Sequence, residues 1–353
     1  MKDWKNIVYG ITVGLLVFGY TEIDALDPAV IIKEEASQLI LDSPARAISV
    51  VLVVGDSIKT HHFGEFSNGD KPSDDTLYDI GSITKTYTGL LLAQAVADGS
   101  INIDDPLARF LPQLSRKAVQ FDGKDITFRD LATHLSGLPT DISCNDPDMS
   151  PDVRLDCFLN HDDKDLLRQL NDFTLESKPG TNYRYSNVGV RIIGIVLQKL
   201  YKKTFEQLLN DIVFQRTGQF DTYVKLSVNN YTRWRRGEHE NGVKTPDASN
   251  YFNAAGGLKS TVTDMGKYLS FYLQDENSIT NKALNMLAGE REGLGRAYIW
   301  NTFQLDTEGQ YYHGGGTFGT SSWVSLYPRE KLGIFLVTPY VSASMQEVIP
   351  YKF

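Results

Sequence analysis

Hydrophobic positions along this chain change their period twice. From Ala47 to Val54 almost every residue is small or β-branched and apolar, the composition of a buried strand. Gly55-Asp56 signals a turn, and Ser57 to Phe63 predicts the partner strand of a hairpin. The spacing then becomes helical from Thr84 to Asp98, with Leu90, Leu91, Leu92, Ala95 and Val96 as the buried face and Gly99 at the C-terminal cap. Ile126 to His134 predicts a second helix, broken by Ser136-Gly137-Leu138-Pro139, and Val188–Tyr201 and Phe205–Phe214 continue in that style. Near the end, Gln310–His313, Ser321–Tyr327 and Leu332–Val337 read as short strands between Gly-rich and charged turns. Strands at both ends with helices between predict an antiparallel sheet interrupted by a helical insertion.

The 353 residues suffice for one large domain or two moderate ones, and 41% hydrophobic with 22% charged residues is a globular balance. A formal net charge of -9 argues against a nucleic-acid partner, whose phosphates call for a basic surface. The one basic run, Arg233-Trp234-Arg235-Arg236, is read as a solvated face. At the N-terminus, Lys2 and Lys5 precede an apolar run from Ile7 to Tyr20, too short for a membrane span, and then a polar stretch containing Ala25. This predicts a secretory signal peptide over residues 1–25 and an exported, periplasmic or secreted protein with no membrane span in the mature chain; an uncleaved N-terminal anchor is the alternative. In an oxidising compartment Cys144 and Cys157 could close a small loop as a disulfide, the other reading being two free thiols. The histidines are scattered without metal-ligand spacing.

Three short motifs carry candidate chemistry. In Gly81-Ser82-Ile83-Thr84-Lys85, positions i and i+3 of a helix share a face, so Lys85 can place its amine against the Ser82 hydroxyl. A serine needs such a base to act as a nucleophile, and burial near another cation would lower the lysine pKa enough to supply one. Ser82 also begins the helix, where its N–H points outward and can stabilise an oxyanion. In Tyr185-Ser186-Asn187, the phenol beside a lysine would ionise more easily and shuttle a proton, and the Asn187 amide can bind a substrate carbonyl and hold the lysine. In His313-Gly314-Gly315-Gly316-Thr317, on a predicted strand, Gly315 and its neighbours let a substrate pair closely with the backbone, and the Gly316 N–H would complete an oxyanion hole.

Taken together in this order, the motifs resemble the Ser-x-x-Lys, Tyr-x-Asn and Lys/His-x-Gly set of the serine β-lactamase and penicillin-binding family. The likeness is to class C β-lactamases and the D-alanyl-D-alanine carboxypeptidases and esterases built like them. Asp79-Ile80-Gly81, Asp104-Asp105-Pro106-Leu107, Thr133-His134-Leu135-Ser136-Gly137-Leu138-Pro139 and Ala254-Ala255-Gly256-Gly257-Leu258 agree with it. The resemblance implies an α/β (α+β) fold with an antiparallel sheet flanked by helices, built from residues 26–99 and 246–353, and a mostly helical domain over 100–245. It implies an acyl-enzyme on Ser82 with Lys85 and Tyr185 managing the proton and Tyr185 as deacylation base. The substrate would be a small molecule or a peptidoglycan-derived fragment, a β-lactam or a D-Ala-D-Ala-type amide, and no metal or organic cofactor is required.

Two departures shift the expectation. His313 stands where most class C enzymes carry a lysine that meets the β-lactam carboxylate, which favours the peptidases and leaves an esterase of small acyl esters open. The family's long closing helix has little room after Val337 and before Pro350, so a shortened or rearranged end is expected. A non-hydrolytic penicillin-binding sensor is the reading of another class; it calls for a membrane span and a signalling domain.

Overall fold

The apolar run is buried on both faces from Ala47 to Val53, which is why it lacks strand alternation. In the computed structural model, residues 28–42, 46–142, 144, 149–239, 244, 246–247, 249–274, 278–290, 293–305 and 308–341 are described. The expected signal peptide and the last residues of the chain lie outside them. The principal elements are α1 (Pro28–Asp42), β1 (Ala47–Val54), β2 (Ser57–Gly64), α2 (Thr84–Ala97), α3 (Phe128–Ala132), α4 (Asn187–Tyr201), α5 (Val262–Leu273), β3 (Ala288–Gly289), β4 (Gly293–Arg296), β5 (Asn301–Leu305), β6 (Glu308–Gly316), β7 (Ser321–Tyr327) and β8 (Leu332–Thr338).

The strands form one eight-stranded sheet in the order β2-β1-β8-β7-β6-β5-β4-β3. Every pairing in it is antiparallel, and β1 joins the end of the chain through Val51 opposite Phe335. On one face of β1, Val51 and Val53 enter the main core with Leu269 and Met265 of α5. On the other, Ile48, Val50 and Leu52 pack with Ile32 and Ala36 of α1. A Cβ on Gly266 would come 2.6 Å from Ile58 and 2.8 Å from Val51, so the glycine lets α5 lie flush on the sheet.

Helix α2 departs from the one-sided pattern expected of it. Every residue from Thr84 to Ala93 is buried, polar ones included, because other elements surround the helix on all sides. The predicted helix over 126–134 is trimmed to α3, opened by a capping box between Thr127 and Asp130 and closed by His134 and Gly137 at φ 59° and 77°. Helix α4 starts at Asn187, one residue earlier than expected, because the Ser186 hydroxyl accepts from the Gly189 N–H at 2.9 Å. The basic run is not merely a solvated face. Trp234 is buried and donates Nε1–H to Asp79 at 3.0 Å, and Arg235 lies 4.0 Å from the Phe66 ring centroid while pairing with Asp70.

Candidate active site

The first motif is held from both sides. Gly81, at φ 53°, turns the chain into the short 3₁₀ turn Gly81–Ile83 that precedes α2. Just before it, the Ser322 hydroxyl of β7 donates to Ile80 O at 2.9 Å, and the Ile80 N–H donates to Leu258 O at 3.1 Å. The Ala254–Leu258 stretch is latched onto α2: Thr88 Oγ1 donates to Ala254 O at 2.7 Å, and Leu258 N–H to Thr84 Oγ1 at 3.1 Å. This frame leaves Ser82 half-buried and Lys85 wholly buried. Lys85 Nζ donates to Ser82 Oγ at 2.9 Å and to Ala255 O. Burial draws the lysine down to about 7, with the Asp141 charge working against the shift.

The second motif docks on the loop after α3. Thr140 Oγ1 donates to Tyr185 O at 3.0 Å, Ser186 Oγ to Pro139 O at 2.7 Å, and the Asn187 N–H to Thr140 O at 2.9 Å. The Tyr185 ring centroid lies 4.9 Å from Lys85 Nζ, and its hydroxyl interacts with Ser82. Burial pushes this phenol above its ordinary value, so it ionises less readily, not more as the sequence suggested. Asn187 Nδ2 donates to both oxygens of Asp141, at 3.0 and 3.3 Å. Its Oδ1 is buried and has no hydrogen-bond partner.

On the third motif the glycines allow close approach. A Cβ on Gly315 would meet Ser322 Oγ at 2.2 Å and Ile80 O at 2.3 Å, whereas one on Gly316 would meet nothing within 4 Å. His313 is buried, and its Nδ1 bonds Gly314 O at 2.6 Å. Burial first, then the charges of Lys85 and Arg296, pull His313 down to about 3 and leave it neutral at neutral pH. His134 is likewise buried and held well below its usual range by burial, then by Lys85, His313 and Arg296. Its Nδ1 accepts from the Ser186 N–H at 3.2 Å, which assigns the proton to Nε2. The His134 ring lies 4.7 Å from that of Tyr185.

The structure thus brings Ser82, Lys85, Tyr185, Asn187, His313, Gly315 and Gly316 close together. It adds three residues to which the motifs assigned no role: His134, Asp141 and Arg296. Arg296, at the end of β4, forms no ion pair among the described residues and stacks 4.7 Å from the Tyr183 ring centroid. The signal for Asp141 was its position two residues after the Ser-Gly-Leu-Pro break; Arg296 carried none, since only sheet pairing brings β4 near β6. Cys144 and Cys157 are joined by a disulfide with Cα atoms 5.5 Å apart.

A chain with this sheet and these motifs can be placed. It belongs to the β-lactamase family of hydrolases, whose family model, described as Beta-lactamase, matches residues 37–346. Among curated proteins it is similar to Protein flp of Staphylococcus aureus, at 22% identity over 293 residues, 80% of this chain and 56% of that protein. The chain therefore spans little more than half the length of that relative. It is also 23% identical over 327 residues to the D-alanyl-D-alanine-carboxypeptidase/endopeptidase AmpH of Escherichia coli, covering 87% of this chain and 83% of that one. Among solved structures, a class C β-lactamase from Rhodobacter sphaeroides superposes with a TM-score of 0.74 at 20% identity, over 88% of this chain and 94% of the other. A β-lactamase/D-alanine carboxypeptidase from Yersinia pestis gives 0.74 at 22% identity, over 90% and 95%. These likenesses establish the β-lactamase/transpeptidase-like fold, an antiparallel sheet with flanking helices. No helix among the described residues is long and apolar enough to cross a membrane.

Proposed function

We propose that this protein hydrolyses a D-alanyl-type amide through an acyl-enzyme on Ser82, in a groove between a sheet domain (26–99 and 246–353) and a mostly helical one (100–245). The observation that carries the reading is the 2.9 Å contact between Ser82 Oγ and the amine of a wholly buried Lys85. Above about pH 7 that amine is neutral and takes the hydroxyl proton as Oγ attacks the substrate carbonyl. The Ser82 and Gly316 N–H groups stabilise the oxyanion, and Asn187 and His313 position the substrate. Tyr185, kept as a phenol, relays the proton from Lys85 to the leaving amine. Water then attacks the ester, passing its proton back through the same pair, and releases the acid.

Charge argues for a substrate carboxylate on the strand side. His313 is neutral and supplies no cation there, but the Arg296 charge reaches both His313 and His134. A small-molecule or peptidoglycan-derived substrate with a terminal carboxylate would meet that guanidinium. The neutral His313 also favours a second reading, an esterase of small uncharged acyl esters. Export, with residues 1–25 as leader, belongs to the first reading, since peptidoglycan lies outside the cytoplasm. Turnover of a D-Ala-D-Ala peptide, nitrocefin and p-nitrophenyl acetate, measured side by side, tests this. The peptide is expected to have the highest kcat/KM, and a lead for p-nitrophenyl acetate would replace the first reading with the second.

A further inference from the structure

His134 holds the chain on either side of Tyr185. Its carbonyl accepts from the Arg184 N–H at 2.8 Å, and its Nδ1 accepts from the Ser186 N–H at 3.2 Å. The first bond needs only a backbone, which any residue at this position would supply. The second needs this side chain, with Nδ1 unprotonated. Burial, then the charges of Lys85, His313 and Arg296, keep the ring in that neutral state. The Nε2–H, also buried, has no partner among the described residues, so the bond to Ser186 alone fixes the imidazole. The ring lies 4.7 Å from the Tyr185 ring and 6.1 Å from that of Tyr183. The backbone at His134 has φ 59°, in the left-handed region where a glycine would rest without strain. A glycine there would bring neither the acceptor nor the ring.

From this arrangement we infer that His134 is the positioning residue of Tyr185, aiming the phenol at Ser82 through its hold on the Ser186 N–H. The inference rests on the acyl-enzyme reading and adds a residue to its proton relay. Direction matters here, because a phenol relays a proton only to groups within hydrogen-bond reach. The Tyr185 hydroxyl interacts with Ser82, and Lys85 Nζ lies 4.9 Å from the ring centroid. Two further bonds tie this stretch down, Thr140 Oγ1 to Tyr185 O and Ser186 Oγ to Pro139 O. Neither involves the Tyr185 ring. His134 adds what they lack, a side chain beside that ring which is itself locked by a hydrogen bond.

The test is turnover by His134→Asn and His134→Gln, each made in the wild-type and in the Tyr185→Phe background. The substrate is whichever of a D-Ala-D-Ala peptide, nitrocefin and p-nitrophenyl acetate the wild type hydrolyses fastest. An asparagine carbonyl oxygen falls where Nδ1 sits, whereas glutamine carries its amide further out, at the place of Nε2. In the wild-type background His134→Gln is expected to lower kcat about tenfold or more with little change in KM. His134→Asn, which keeps the acceptor but not the ring, is expected to lower it only about threefold. In the Tyr185→Phe background His134→Gln is expected to cost less than about twofold, since the hydroxyl it would misplace is gone. A merely structural loss would slow both backgrounds alike. Equal losses in the two backgrounds, no loss in His134→Gln, or an asparagine variant as slow as the glutamine one overturns the inference and leaves the acyl-enzyme reading standing. A wild type that hydrolyses none of the three substrates overturns both.

Discussion

Gly81 and Gly316 lie back to back: a Cβ on Gly81 would come 2.6 Å from Gly316 N and 2.7 Å from Gly316 O. The residue before Ser82 is thereby pressed against the glycine strand, and Gly81 is held at φ 53°, where side chains are strained. The neighbouring contact sharpens this into a prediction. Gly315→Ala would drive its Cβ into Ile80 O, a backbone atom two residues before Ser82 that cannot move alone. It is expected to lower Ser82 labelling at least tenfold and to cost about 1–3 kcal/mol of stability. Gly316→Ala, which meets open space, should change stability by less than about 1 kcal/mol. Urea midpoints and labelling rates check both.

Lys85 sets the pH dependence. Its amine, drawn down to about 7 by burial, becomes neutral as pH rises, so the rate of Ser82 labelling should climb through a midpoint near 7 and level off above it. Asp141 works to keep Lys85 protonated, so Asp141→Asn should move the rising limb to lower pH. Lys85→Arg keeps a cation but no base at these pH values, and should lose the climb with about 100-fold or more of the rate. A flat wild-type profile between pH 5 and 9, ranges of about two units either side of 7, would contradict the assignment.

Tyr185 has a different expected signature. Burial keeps it a phenol, so Tyr185→Phe removes the relay without removing the base. Turnover should drop by about 10²–10⁴-fold. The pH midpoint near 7 should stay, because it belongs to Lys85. Steady-state hydrolysis and labelling profiles of the same variant separate the two.

The buried histidines predict acid sensitivity. His313 titrates near 3 when folded against an ordinary 6.5, so below pH 6.5 the unfolded chain binds a proton that the folded one refuses. Stability from this group is therefore lost as pH falls from 6.5 toward 3, by about 1.4 kcal/mol per pH unit once the unfolded histidine is protonated. His134, held low for the same reason, acts in the same direction. His313→Asn should flatten the fall in urea midpoint between pH 7 and 5, values on either side of about 6.5. An unchanged slope would remove His313 from the account.

Much of the fold was legible in the order of elements, because β1, β6, β7 and β8 are continuous apolar or glycine-rich runs and α4 repeats at helical spacing. Helix α2 was only half read. Its Thr84, Lys85, Thr86 and Thr88 look like a polar face, yet contacts from Ala254, Ala255 and Tyr268 bury that face, and none of those partners is near in sequence. The site's residues were readable where they sit three places apart on one turn, as Ser82 and Lys85 do. The burial-lowered Lys85 was expected too, but the state of Tyr185 was not, since it depends on what covers the phenol. Tyr185 was expected to ionise more easily beside the lysine; burial keeps the phenol protonated. Asp141 and Arg296 were given no role because loop docking and sheet pairing bring them to the site.

The central claim is that Ser82 carries the acyl group. Intact-mass measurement of the protein after incubation with a fluorophosphonate, followed by peptide mapping, tests it most directly. The wild type is expected to gain one adduct, mapped to the Gly81–Lys85 segment at Ser82, and Ser82→Ala none under the same conditions. An adduct of equal yield on Ser82→Ala, or one mapped to another residue in the wild type, would contradict the account.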